Sequence, residues 1–304
     1  MTAFRQSRWF ALVWAIPLAL VVAAAIVLFA RWLRDLPAVA EWMVQFPGHS
    51  ELPEAAPVGI PAWLGWQHFF NAFFLLLIVR TGWQIRTTKR HEAYWTRNNT
   101  GLIRTKNPPT RLSLPLWLHL SLDALWVLNG LIFIVLLFAT GQWMRIVPTS
   151  WDVIPNAISA GLQYASLNWP VENGWVNYNA LQLLTYFVTV FIAAPLAILT
   201  GIRMSPAWGL RMRKVTPYVP IAWARKIHFP VMVWFVAFTA VHVFLVFFTG
   251  ALRNLNHMYA SRDDESWWGL GIFLGSLALM VAGWIAARPV VLRSIASLTG
   301  KVTR

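Results

Sequence analysis

Cysteine is missing from all 304 residues. Its absence excludes a thiolate-bound iron–sulfur cluster, a covalently attached c-type haem and any disulfide. Charge is scarce as well: 12% of residues are Asp, Glu, Lys or Arg, against 58% hydrophobic. A soluble domain carries about twice that share of charge. Acidic residues are the scarcest, 11 against 25 Lys and Arg, which leaves a net charge of +14. There is no internal repeat, no low-complexity tract and no HExxH zinc motif.

What the chain does have is long apolar runs. Six stand out: Trp9–Arg31, Ala62–Gly82, Pro115–Thr140, Asn179–Gly201, Ile221–Thr249 and Trp267–Ala287. Each is long enough to cross a hydrocarbon core of roughly 30 Å as a helix. The first exceeds the apolar core of a signal peptide, which runs to about 7–15 residues. It is read as a retained helix. The expected fold is an all-α integral membrane protein with six transmembrane helices.

Charge orients the spans. With the N-terminus inside, 20 of the 25 Lys and Arg fall on the inner side and nine of the 11 acidic residues on the outer side. The acidic exceptions are Glu92 and Asp123. This asymmetry follows the positive-inside rule and puts both termini in the cytoplasm, in a bacterial inner membrane. The basic charge then meets anionic lipid headgroups rather than nucleic acid. Many of the 20 Trp lie at span ends, as in an interfacial belt. The basic loop 83–114 is inner. The long aromatic loop 141–178 is outer and is expected to fold back on the membrane surface as a lid.

Seven histidines are present. His49, His91 and His257 fall in loops and read as solvated surface residues. The other four lie inside spans, where a histidine is rare and usually functional. His228 and His242 are fourteen residues apart in one span. That spacing is close to four helical turns, which places both imidazoles on one face, roughly 21 Å apart along the axis. Such a face can hold two haem irons, one near each membrane surface. Depth selects the partners. His68 and His242 both lie roughly 9–10 Å below the outer surface. His119 and His228 both lie near the inner one. The expected pairs are His68/His242 and His119/His228, each ligating one non-covalent haem b. Ala237, Thr239 and Ala240 are small enough to let porphyrin approach the backbone. Arg111, Arg225 and Lys226 are candidates for the inner haem propionates. Asp123, one turn after His119, is a candidate ligand-orienting or proton-carrying group. Two other functions are compatible with these residues. One is a haem-free transporter that couples to protons through its histidines. The other is a stand-alone quinol-linked reductase.

The order His68, His119, His228, His242 resembles the di-haem cytochrome b subunits of respiratory enzymes. These are the gamma subunit of formate dehydrogenase and the cytochrome b subunit of nickel–iron hydrogenase. In that family a four-helix core supplies four axial histidines, the last helix giving two that are fourteen apart. The run Tyr178-Asn179-Ala180-Leu181-Gln182 is similar to a family run whose asparagine helps bind quinone, with Leu181 standing where the family has glycine. The resemblance implies a four-helix di-haem core (62–249); the chain departs from the family by an extra N-terminal helix and outer loop (1–61), and residues 250–304 are read as a last helix with a cytoplasmic tail. The resemblance further implies two haem b, quinone as substrate beside Asn179, and a soluble redox partner carrying iron–sulfur or molybdopterin centres. The extra helix turns the core over, so that partner is expected on the cytoplasmic face.

Overall fold

The computed structural model describes residues 10–100, 104, 108–169, 173–206, 208, 209, 212 and 214–303. Trp9, Pro170 and the basic residues of the first eight positions lie outside them. Among the described residues, six helices are long and apolar enough to cross a membrane: Leu12–Arg34, Ala62–Thr87, Leu114–Ala139, Ala180–Met204, Ile221–Phe248 and Trp268–Ala286. All six expected spans are therefore helical, with shifts of a few residues at their ends. Their outer faces carry large apolar side chains, with Leu131 61% and Val135 67% exposed. In water such faces would be sticky. In a bilayer, contact with lipid chains satisfies them.

The helices are α1 (Phe10–Arg34), α2 (Pro37–Gln45), α3 (Ala62–Thr87), α4 (Leu114–Ala139), α5 (Val153–Ala165), α6 (Ala180–Phe187), α7 (Ala194–Met204), α8 (Ile221–Phe248), α9 (Ala251–Leu255), α10 (Trp268–Ala286) and α11 (Pro289–Ser297). The strands are β1 (Tyr94–Arg97), β2 (Arg111–Ser113) and β3 (Gly300–Thr303). Between α6 and α7, residues Val188–Ala193 form a π-helical stretch within one continuous apolar span. The cause is Pro195. It has no N–H for the Phe191 carbonyl, and the ladder widens ahead of it. The described residues form two compact units. One comprises the chain up to Pro57 with Gln142–Phe187; the other comprises Val58–Gly141 and Val188 onward.

In the first unit, the loop expected between residues 141 and 178 is not structureless. It contains α5, whose Val153 and Ala157 pack on Ala180 and Leu183 of α6. The segment around Gly48 stitches the unit together. Its N–H donates to Asn156 Oδ1 at 2.9 Å, and its carbonyl accepts from the Ala180 N–H at 2.9 Å. Gly48 has φ +105°, a left-handed conformation that side chains disfavour. Arg31 and Arg34 at the end of α1 both donate to Ser166, at 3.1 and 2.8 Å. Arg145 is 1% exposed; it donates to the Gly174 carbonyl and lies over the Tyr178 ring.

In the second unit, α3 packs along α4, and α7 along α8. Side chains from α3, α4, α7 and α8 meet around Val231 and Phe235, with Leu75, Trp126 and Leu196 among them. One end of α3 and α4 carries a three-stranded antiparallel sheet in the order β2-β1-β3. Tyr94 of β1 pairs with Ser113 on one side and with Thr303 on the other. The basic 83–114 connection and the C-terminal tail thus share one end of the unit, as expected for two segments on the same membrane side. Trp95 fixes the sheet to α11 by donating from Nε1 to the Ala296 carbonyl at 3.0 Å.

Beyond α8, residues Asn256–Ala260 make a second π-helical turn. Asn256 is fully buried. Its Oδ1 accepts from the Gly269 N–H at 2.6 Å, and its Nδ2 donates to the Ser266 carbonyl at 2.7 Å and to Asp264. A side chain at Gly269 would collide with the Asn256 backbone, so this start of α10 requires glycine. Asp264 in turn accepts from the Ser266 hydroxyl, the Ser266 N–H and Arg262. These bonds favour the ionised form and hold its pKa down at about 2, against an ordinary 3.8. A depressed carboxylate stabilises the fold above its unfolded pKa and loses that contribution as pH falls toward its folded value. Asp264 should therefore protect the fold fully above pH 4 and progressively less down to about pH 2. An unfolding-temperature series in detergent checks this. Asp264→Asn should flatten the acid limb and leave the neutral range with a uniformly lower midpoint.

Candidate functional site

The four intramembrane histidines all belong to the second unit. His68 on α3 faces His242 on α8, with ring centroids 6.1 Å apart and planes inclined by 53°. Two imidazoles on opposite sides of one metal, each bonded at about 2 Å, would have centroids about 6 Å apart. Their separation therefore fits a shared iron. Phe238 stacks on His242 with centroids 5.6 Å apart and planes nearly parallel, and Tyr259 meets His68 edge-on at 5.9 Å. These aromatic walls set the pitch of both rings. Nδ1 of His68 is buried with no hydrogen-bond partner among the described residues.

His119 and His228 are held differently. Thr81 Oγ1 on α3 lies 2.9 Å from His119 Nδ1, and Thr200 Oγ1 on α7 lies 2.8 Å from His228 Nδ1. Each threonine is one helix away from its histidine and is followed by glycine. A Cβ at Gly82 would stand 3.3 Å from the His119 ring, and one at Gly201 would stand 3.6 Å from the His228 ring. At Gly82 the ring would have to give by a few tenths of an ångström, whereas at Gly201 the contact would be an ordinary one. The arrangement recurs, Thr81-Gly82 beneath His119 and Thr200-Gly201 beneath His228.

The threonine hydroxyls also bond their own helices. Thr81 Oγ1 lies 2.8 Å from the Leu77 carbonyl and 3.0 Å from the Ile78 carbonyl, one turn back. Thr200 is placed in the same way by the Leu196 and Ala197 carbonyls. With the hydroxyl hydrogen on a carbonyl, each threonine accepts from the ring; in that tautomer Nδ1 carries the proton and the lone pair sits on Nε2.

Asp123 lies one turn beyond His119, with Oδ2 3.7 Å from His119 Nε2, and within electrostatic reach of His228. Among the described residues no group of three or more His, Cys, Asp or Glu is gathered as a metal cage. Of the four histidines, His68 and His242 are brought ring to ring, whereas His119 and His228 lie within electrostatic reach of each other.

The other candidate residues take these positions. Arg111 lies in β2, with its guanidinium over the Tyr94 ring at 4.1 Å. Arg225 and Lys226 are exposed on the first turn and a half of α8. Asn179 is buried at the start of α6. Its Oδ1 accepts from the Gln182 N–H at 2.8 Å, Gln182 Oε1 accepts from the Asn179 N–H at 3.2 Å, and its Nδ2 donates to the Tyr164 hydroxyl at 2.8 Å. This is a reciprocal capping box.

His257 does not stay at the surface as its loop position implies. It is 4% exposed, with Nε2 2.7 Å from Asp263 Oδ1. The π-helical turn swings it inward, and Asp263, which also accepts from Arg253, meets it there. Sequence reasoning missed Thr81, Thr200, Phe238 and Tyr259. The repeated Thr-Gly pair near the same end of two spans is the signal that could have found the threonines.

The chain was compared with protein-family models, with curated proteins and with solved structures, and no match was found in any of the three.

Asn179→Ala should remove the capping box and cost about 1 kcal/mol, while Asn179→Ser should retain most of the cap. Chemical or thermal unfolding of the two variants checks this. Equal stability would remove the cap as the reason for asparagine here.

Proposed function

We propose that the chain is a di-haem cytochrome b membrane subunit, carrying electrons across the bilayer between a soluble oxidoreductase and membrane quinone. The observation that carries the reading is the His68–His242 pair at 6.1 Å, two facing imidazoles inside apolar spans. His68 and His242 would hold one haem b, and His119 and His228 a second. When bound, such a group supplies one-electron chemistry at its iron.

The protein's own residues set the surroundings of that chemistry. Thr81 and Thr200 hold Nδ1 of two of the four rings within hydrogen-bond distance and so orient them. Phe238 and Tyr259 wall the other two. The separation along α8, roughly 21 Å between His228 and His242, spans most of the hydrocarbon thickness. The positive-inside distribution supports cytoplasmic termini and docking of an iron–sulfur or molybdopterin-bearing partner on the basic face. Arg111, Arg225 and Lys226 are the propionate candidates on that face. The link to quinone rests on the family resemblance of residues 178–182; Asn179 already serves as a helix cap there, so its part in quinone binding is a separate question from haem ligation.

One observation favours a second reading. Asp123 beside His119 and within reach of His228 is an arrangement suited to passing protons, as in a haem-free proton-coupled transporter.

Haem quantitation on the purified protein separates the two. Two haems per chain are expected, falling to one in His68→Ala and to one in His228→Ala, with the remaining pair intact. Protein prepared from haem-sufficient cells without pigment, or histidine variants with unchanged haem content, would contradict the cytochrome reading.

A further inference from the structure

The short helix α11 presents three different sides. Leu292 and Ala296 face the protein, packed with Ala93 and Leu114, and Trp117 and Leu118 lie against them. Val291, Ile295 and Leu298 recur at i, i+4 and i+7, so they share a second face. That face is bare, with Ile295 45% and Leu298 81% exposed. Arg293 and Ser297 fall on the remaining side. Two observations fix the height of the bare stripe. Pro289 comes only three residues after Ala286, the end of the α10 span, a reach of about 10 Å at most. Leu114 and Leu118, on which α11 packs, open the α4 span. The stripe therefore lies where lipid chains meet headgroups, continuous with the lipid-facing surface of the spans.

We propose that α11 is an anchor lying in the membrane surface, with its Val291–Ile295–Leu298 stripe on the acyl chains and Arg80 and Arg288 on the phosphate of an anionic phospholipid. The charge comes from two helices. Arg80 of α3 holds its guanidinium 4.3 Å from the centre of the Trp284 ring of α10 and donates to the Trp284 carbonyl. Arg288 follows four residues later, exposed and within electrostatic reach of Arg80. Among the described residues neither arginine forms an ion pair. Two guanidiniums side by side repel, and an anion between them turns that repulsion into charge-assisted hydrogen bonds. Tryptophan favours the headgroup level, so Trp284 puts the pair where lipid phosphates are. An interfacial helix of this kind sinks its apolar face about 5–10 Å into the boundary and responds to anionic lipid. α11 also carries the sheet, through the Trp95 bond to the Ala296 carbonyl, so the same contact keeps β1–β3 at the membrane surface. The anchor is independent of what the four histidines bind.

The chain has no cysteine, so one introduced cysteine takes a nitroxide label at a single place. Ile295→Cys, Leu298→Cys and, for comparison, Ser297→Cys are labelled in the full chain. Each is reconstituted into vesicles of phosphatidylcholine mixed with phosphatidylglycerol. Power-saturation EPR then compares collisions with oxygen, which concentrates among acyl chains, and with a water-soluble nickel chelate. Labels at 295 and 298 should meet oxygen and escape nickel, with an oxygen-to-nickel ratio severalfold above that at 297. Leaving out phosphatidylglycerol should lower the ratio at 298, and Arg288→Gln should abolish that lipid dependence. Nickel that reaches all three positions alike would place α11 in water and overturn the proposal. Labels at 295 and 298 shielded from both reagents would mean that protein, a second copy or another subunit, covers the stripe, and would overturn it equally. A depth indifferent to phosphatidylglycerol, or an Arg288→Gln variant that keeps the dependence, would overturn the arginine–phosphate contact.

Discussion

A polar ring inside a hydrocarbon slab has no water to complete its hydrogen bonds, and this constraint governs the rest of the molecule. Each imidazole has two nitrogens to settle. For His119 and His228, Nδ1 meets a threonine hydroxyl of the neighbouring helix. Among the described residues His68 Nδ1 is buried with no hydrogen-bond partner, and an unpaired buried polar atom costs about 1–3 kcal/mol. Gly82 follows from the same close approach, since a Cβ there would stand 3.3 Å from the His119 ring.

The architecture around the histidines consists of ways to hold helices that gain little from hydrophobic burial. In a bilayer the outward faces are as well satisfied as the inward ones, so specific ties carry the assembly. In the unit that contains the histidines, a three-stranded sheet clamps the α3–α4 connection to the C-terminal tail, and the buried Asn256 ties the π-helical turn to the start of α10. That turn also brings Tyr259 to the edge of His68.

Much of this was legible in the sequence because membrane helices declare themselves. Long uncharged runs gave all six spans, and the alternation of Lys and Arg gave an orientation in which loop 83–114 and the tail share a side, as the sheet requires. The His68–His242 pairing came from depth alone and corresponds to two rings in contact range. What stayed hidden depends on non-local pairing. β1 and β3 are four-residue strands some two hundred positions apart, too short to show a period. Threonine in a helix is ordinary, so Thr81 and Thr200 stand out only once their hydroxyls are seen against a ring. His257 was hidden by a π-turn that no local pattern announces. The asparagine of the 178–182 run has a plain local reason, Asn179 and Gln182 spaced as a capping box, and that pattern was available in the letters.

The most direct measurement is a cryo-EM map of the protein purified from haem-sufficient cells, at a resolution that shows side chains. The account predicts flat, metal-centred density between His68 and His242 and again between His119 and His228, each metal at about 2 Å from one nitrogen of both rings. Rings that meet each other, or water, with no metal between them in either pair would contradict it.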